Sequence, residues 1–153
     1  MSPRTLFRTV AFAEAVTWTL LLAALLLRAL VPDARVAVSI AGGLHGFVFL
    51  CYVVSTCFTW VNQKWAAGRG ALAVLSAAVP YATIPVEKSM DRHGLLGSVW
   101  RLGTGGEQPR GFLERLQAVV LARPVAAIAV VLVAVAVVFS FLLYMGPPDT
   151  WFA

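Results

Sequence analysis

The chain has 153 residues, 60% of them hydrophobic, and a mean hydropathy of +0.84, far above a soluble domain of this length. This composition excludes a soluble globular protein and points to an integral membrane protein. The net charge of +5 is not a nucleic-acid footprint, because the Lys and Arg fall at the ends of apolar runs, where such residues set membrane orientation.

Four apolar runs follow one another, over residues 9–30, 36–61, 70–86 and 124–146. The first, second and last reach the roughly 20 residues that an α-helix needs to cross about 30 Å of hydrocarbon. The third is short, and Pro80 and Pro85 in "VPYATIP" interrupt its hydrogen bonding. The first run is read as a retained helix and not a cleaved signal: its core is too long, Glu14 lies inside it, and "LLLRALVPDA" offers no small-x-small cleavage site. Pro32 and Asp33 predict a tight turn that folds the first two helices into an antiparallel hairpin. Cys51 and Cys57, on one predicted helix and roughly 9 Å apart along its axis, cannot pair with each other.

The only sizeable polar stretch, residues 87–123, is glycine-rich around "RLGTGGEQPRG". Within its last part, "GFLERLQAVVLARP", helically spaced apolar residues predict a short interfacial helix leading into the last span. The expected fold is all-α: a polytopic transmembrane helical bundle of four spans, the third short and Pro-interrupted. It divides into a three-helix membrane domain over 1–92, a polar loop with the interfacial helix over 93–123, a fourth transmembrane helix over 124–146 and a tail over 147–153. With four crossings, the long loop shares its side with Arg28 and Arg35, and positive-inside bias places that side in the cytoplasm and both termini, with Trp151, outside. If the third run instead dips in and returns, only Arg28 and Arg35 are left outside, which fits the charge rule better but needs an irregular segment sheltered by protein.

Polar residues inside lipid are costly and face the bundle, so each is a functional candidate. In "GGLHGFVFLCY" Gly42 and Gly46 form a G-x-x-x-G with Ser39 one turn earlier, a face on which another backbone can approach closely. His45 flanks that face and is expected in a helix contact, hydrogen-bonded to a neighbour, with a ligand or proton-relay role as the alternative. Glu14 is the other anomaly. Measured from the centres of their runs, it and His45 fall on opposite sides of the midplane and are not expected to touch. Lys64 and Arg69 enter from the side on which the first helix starts, so Arg69 above all, or Lys64, is the expected ion-pair partner of Glu14. No metal site and no cofactor are expected, since the spans hold no H-x-x-x-H, C-x-x-C or carboxylate cluster.

The order of "AEAVTW", "GGLHGFVFLCY", Trp65 and "VPYATIPVEK" resembles the YdzA-like family of small bacterial integral membrane proteins, a family of unknown function, over roughly residues 4–92. Glu14 and the His45–Gly46 pair carry the resemblance most specifically. Ala15 and Thr17 depart from it, standing where glycine and serine are expected, and the long loop and last span are additions. The resemblance implies a membrane fold and no activity.

Templates of known enzymes are missing: there is no G-x-S-x-G, Walker loop or H-E-x-x-H. Two functions from different classes fit the residues. One is a non-catalytic scaffold or assembly factor of the cell (plasma or inner) membrane, packing in the bilayer against another membrane protein or a second copy. The other is a small oligomeric transporter or ligand-binding bundle in which Glu14 and His45 titrate.

Overall fold

A computed structural model describes residues 1–31 and 34–145. The expected turn at Pro32 and Asp33, the tail 147–153 and Trp151 lie outside the described residues. The fold is all-helical, with no strand among the described residues: α1 (Pro3–Leu30), α2 (Arg35–Gln63), α3 (Ala67–Leu75), a 3-10 turn (Ser76–Ala78), α4 (Thr83–Arg92), α5 (Gly111–Ala122) and α6 (Pro124–Met145). The four apolar segments are all present. Three are helices long and apolar enough to cross a membrane, α1, α2 and α6, and the fourth is a shorter apolar one over Ala67–Ala78.

Helix α1 begins ahead of the apolar run because Ser2 caps it. The Ser2 hydroxyl accepts the Thr5 backbone N–H at 3.1 Å, and Pro3 opens the helix, where its missing N–H costs nothing. Helix α2 ends at Lys64, whose left-handed backbone (φ +52°) turns its N–H back onto the Trp60 and Val61 carbonyls. Phe7 and Tyr52, at 0% exposure, tie α1 to α2 in a core that also takes in Trp65, Ala73, Ala77, Met90 and Leu96.

The short segment is a hairpin that enters and leaves at one end of the bundle. Its α3 and 3-10 residues rise only about 20 Å, too little for a crossing of about 30 Å. At its start Trp65 lies edge-on against Phe7, with ring centroids 5.5 Å apart. At its tip, just past the midpoint of α1, the Trp18 indole donates to the Ala77 carbonyl at 3.2 Å and the Thr19 hydroxyl to the Tyr81 hydroxyl at 3.3 Å. Helix α4 then climbs back along α1: Thr83 donates to the Ala11 carbonyl at 3.0 Å, Glu87 meets Arg8 at 2.8 Å, and Asp91 meets Arg4 at 2.7 Å.

Irregular backbone survives at membrane depth only when its polar groups find partners in the protein. Here Tyr52 and Ser76 both donate to the Ala73 carbonyl, at 2.9 and 2.7 Å, while Trp18 serves Ala77. Tyr81, held at φ +64° at the tip, takes a conformation that costs a non-glycine residue roughly 1 kcal/mol, and the Thr19 contact helps to hold it.

Because the hairpin returns, the polar loop lies at the end where α1 starts, and not with Arg28 and Arg35 as four full crossings would place it. The Arg4 N–H donates to the Gly97 carbonyl at 3.2 Å, and the Trp100 indole to the Met1 carbonyl at 2.7 Å. Arg101 donates to the Asn62 and Val61 carbonyls at the end of α2, at 2.6 and 3.2 Å, and ion-pairs with Glu107 and Glu114. A cation there satisfies carbonyls that the helix leaves without partners and meets the negative end of its dipole. The Glu107 carboxyl is held below the usual carboxylate range by hydrogen bonds from Lys64 and Arg101. That of Glu114 is held low by the Arg110 N–H and then by Arg101. Helix α5 docks through Gln117, which donates to the Phe58 carbonyl at 2.6 Å. Helix α6 then runs antiparallel to α2, with Phe139 against Gly43 and Gly46. Ten of the twelve Lys and Arg of the chain lie at the α1-start end, and only Arg28 and Arg35 lie at the other.

Candidate functional site

Glu14 and His45 meet. The Glu14 carboxylate, with no exposed surface, lies 3.8 Å through Oε2 from His45 Nδ1, whose side chain is 12% exposed. The expectation that they lie apart fails because the hairpin is staggered. A hairpin folding symmetrically about residues 32–33 would set Glu14 opposite residue 51, but it faces 45, a slip of six residues, or roughly 9 Å at the helical rise. Phe7 opposite Tyr52 shows the same offset. Distances counted from the centres of apolar runs cannot detect such a slip.

The expected ion pair of Glu14 with Arg69 or Lys64 does not form. Lys64 reaches Glu107 at 3.0 Å, and Arg69 lines a surface cleft between α3 and α4. Both stay at the end of the bundle where α1 starts, whereas Glu14 is sealed deeper between α1 and α2. Neither Glu14 carboxylate oxygen has a hydrogen-bond partner, since 3.8 Å is too long for one.

Thr17 links the pair. Its hydroxyl lies 3.0 Å from the Glu14 backbone carbonyl and 3.2 Å from His45 Nδ1. The one hydroxyl proton goes to the carbonyl, so the network assigns the proton of that imidazole nitrogen to Nδ1, donating to Thr17 Oγ1. The Nδ1–H thus sits between the hydroxyl and the carboxylate, and a small side-chain rotation would bring it to Oε2. The indole of Trp18 packs on the imidazole, with centroids 4.3 Å apart. An acid and a base separated this narrowly, away from water, can pass or share a proton. Among the described residues no group of three or more His, Cys, Asp or Glu is placed to hold a metal ion.

The glycine face divides between two neighbours. A Cβ at Gly46 would lie 3.1 Å from the Phe139 ring of α6, and one at Gly42 would lie 3.9 Å from Leu21 of α1. Gly46 therefore accommodates an aromatic ring and not a helix backbone, and Ser39 is exposed. The tightest glycine is one that sequence reasoning passed over. A Cβ at Gly70 would collide with the Trp60 indole. The donors that hold the hairpin, Trp18, Tyr52 and Thr83, were missed too. Their signal was indirect: Pro80 and Pro85 mark a segment of irregular backbone, and polar-tipped side chains such as these are what can tie such backbone to the neighbouring helices.

No solved structure matches the chain. A Streptomyces coelicolor protein named "Putative membrane protein SCO5905" is 38% identical over 91 residues, which make up 59% of this chain and 11% of that protein. The chain thus spans only about a tenth of the length of that relative. Residues 4–92, which hold α1, α2, the hairpin and both members of the Glu14–His45 pair, match the family described as "Domain of unknown function (DUF3817)", and the chain belongs to that family of uncharacterised membrane proteins.

Proposed function

We propose that this protein is a non-catalytic accessory module of the plasma membrane, a scaffold or assembly factor that packs against another membrane protein. The observation that carries this reading is the use made of the polar groups at membrane depth. Tyr52, Trp18, Ser76 and Thr83 are all spent on the backbone of the bundle itself, so they brace a hairpin and do not line a path. Helix α6 is apolar along its length and touches the rest of the bundle along one side only, leaving a long face for lipid or protein. The charge asymmetry supports an orientation with the α1 start and the polar loop in the cytoplasm. The closer likeness to YdzA-like proteins belongs to the same proposal.

A second reading, a proton-coupled bundle, is favoured by one observation, the unpartnered Glu14 carboxylate 3.8 Å from His45. Two measurements separate them. Native mass spectrometry after mild extraction is expected to find the chain in a stoichiometric complex, and proteoliposomes are expected to hold an imposed pH gradient as long as empty ones do. Dissipation of the gradient by the wild type but not by Glu14→Gln would replace the first reading with the second.

A further inference from the structure

The hairpin carries a second feature on its outer side. Between α3 and α4, at the α1-start end of the bundle, lies an open cleft of about 170 Å³ lined by Arg69, Leu72, Ser89, Met90, His93 and Leu95. We propose that this cleft binds the headgroup of an anionic phospholipid, with an acyl chain running along the hairpin toward its tip.

Two features of the lining suit that ligand. The polar side chains, Arg69 from α3 with Ser89 from α4 and His93 from the cap that ends α4, line one mouth. Among the described residues Arg69 makes no ion pair, a property it shares with Lys88, Arg92, Arg110, Arg115 and Arg123 at the same end, and of these cations it is the one that lines the cleft. Its charge therefore lacks a counterion from the protein, and a phosphodiester supplies one in a geometry that a guanidinium matches well. Ser89 adds a hydroxyl donor.

The apolar part continues beyond the cleft. Leu72, Leu75 and Val79, at 58%, 67% and 55% exposure, descend the hairpin at helical spacing, giving an apolar track of roughly 10 Å below the cation, enough for the upper part of an acyl chain. The level is right for a headgroup, since Trp60 and Trp65, residues of the kind that mark the membrane–water boundary, flank the start of α3. Basic pockets between helices on the cytoplasmic side are where anionic lipid headgroups bind. The cleft is too small for the acyl chains themselves, which places them on the exposed track.

The test is native mass spectrometry of the full chain in detergent, titrated with phosphatidylglycerol or phosphatidylcholine. The wild type is expected to retain one phosphatidylglycerol in preference to phosphatidylcholine. Arg69→Gln should weaken retention about fivefold, the factor that one cation near an anionic membrane surface contributes. Arg28→Gln, at the opposite end, should leave it unchanged, and both variants should keep wild-type helicity by circular dichroism. Millimolar inorganic phosphate should not displace the lipid. Equal retention of the two lipids, equal loss in the Arg28 and Arg69 variants, or full displacement by phosphate would each overturn the proposal.

Discussion

The staggered register makes a sharp statement about which residue Glu14 depends on. At 3.8 Å the Glu14 carboxyl and the His45 imidazole are near enough to share a proton, and stranding one buried polar group without its partner costs about 1–3 kcal/mol. Replacing His45 by Gln removes the imidazole and leaves the buried carboxyl facing only Thr17, so His45→Gln should cost about 2 kcal/mol in the wild type. In a Glu14→Gln background there is no carboxylate to abandon, and the same change should cost under about 1 kcal/mol, a coupling within the range measured for contacting residues. For a chain of this size the difference amounts to several degrees, at about 2–4 °C per kcal/mol. Thermal unfolding in detergent at neutral pH, on the four members of the cycle, measures it. A parallel cycle pairing Glu14→Gln with Arg69→Gln should be additive to within about 0.5 kcal/mol, since the two side chains share no partner. Additivity at His45 together with coupling at Arg69 would refute the observed register and restore the pairing expected from sequence.

Other consequences follow from the packing. Gly70→Ala drives a Cβ into the Trp60 indole, which is anchored on the Trp65 carbonyl at 2.9 Å, and should cost about 1–3 kcal/mol; Gly68→Ala, with open space around it, should be neutral or stabilising by up to about 1 kcal/mol, and equal melting shifts would contradict the hairpin contact. Gly46→Leu should loosen α6 by colliding with Phe139, and Phe139→Ala should recover part of the loss, whereas an identical penalty in both backgrounds would remove the contact from consideration. Glu107 and Glu114 have folded-state values held below their unfolded ones, so their contribution is present above the unfolded carboxylate range and fades as pH falls through the lowered values; amide exchange in 101–114 should rise on acidification, and Arg101→Gln should reduce that pH response without removing it, since Lys64 and the Arg110 N–H still hold the two carboxyls. With Cys51 and Cys57 replaced by Ser, an impermeant thiol reagent applied to intact cells should label a cysteine introduced at Ala34 but not one at Ser98, and labelling at 98 would reverse the orientation.

Much of the architecture was legible from local chemistry. Lengths of apolar runs predict α1, α2 and α6 because each crossing must satisfy its own backbone hydrogen bonds over the full hydrocarbon thickness. Helical spacing predicts α5, and Pro80 and Pro85 mark the third segment as interrupted, since proline removes a donor wherever it stands. Glu14 and His45 stand out by residue type alone, through the cost of placing them in lipid. What the tertiary structure decided is who meets whom. Whether the interrupted segment crosses or returns depended on Trp18 and Tyr52 reaching carbonyls of the hairpin and on Thr83 of the hairpin reaching the Ala11 carbonyl of α1, and with it went the side on which the polar loop lies. The slip of α2 along α1 brought Glu14 to His45 and left Arg69 facing outward. Stagger leaves no trace in hydropathy, because sliding one apolar helix along another exchanges leucine for leucine at little cost, and only the summed fit of side chains such as Phe7 and Tyr52 selects one register.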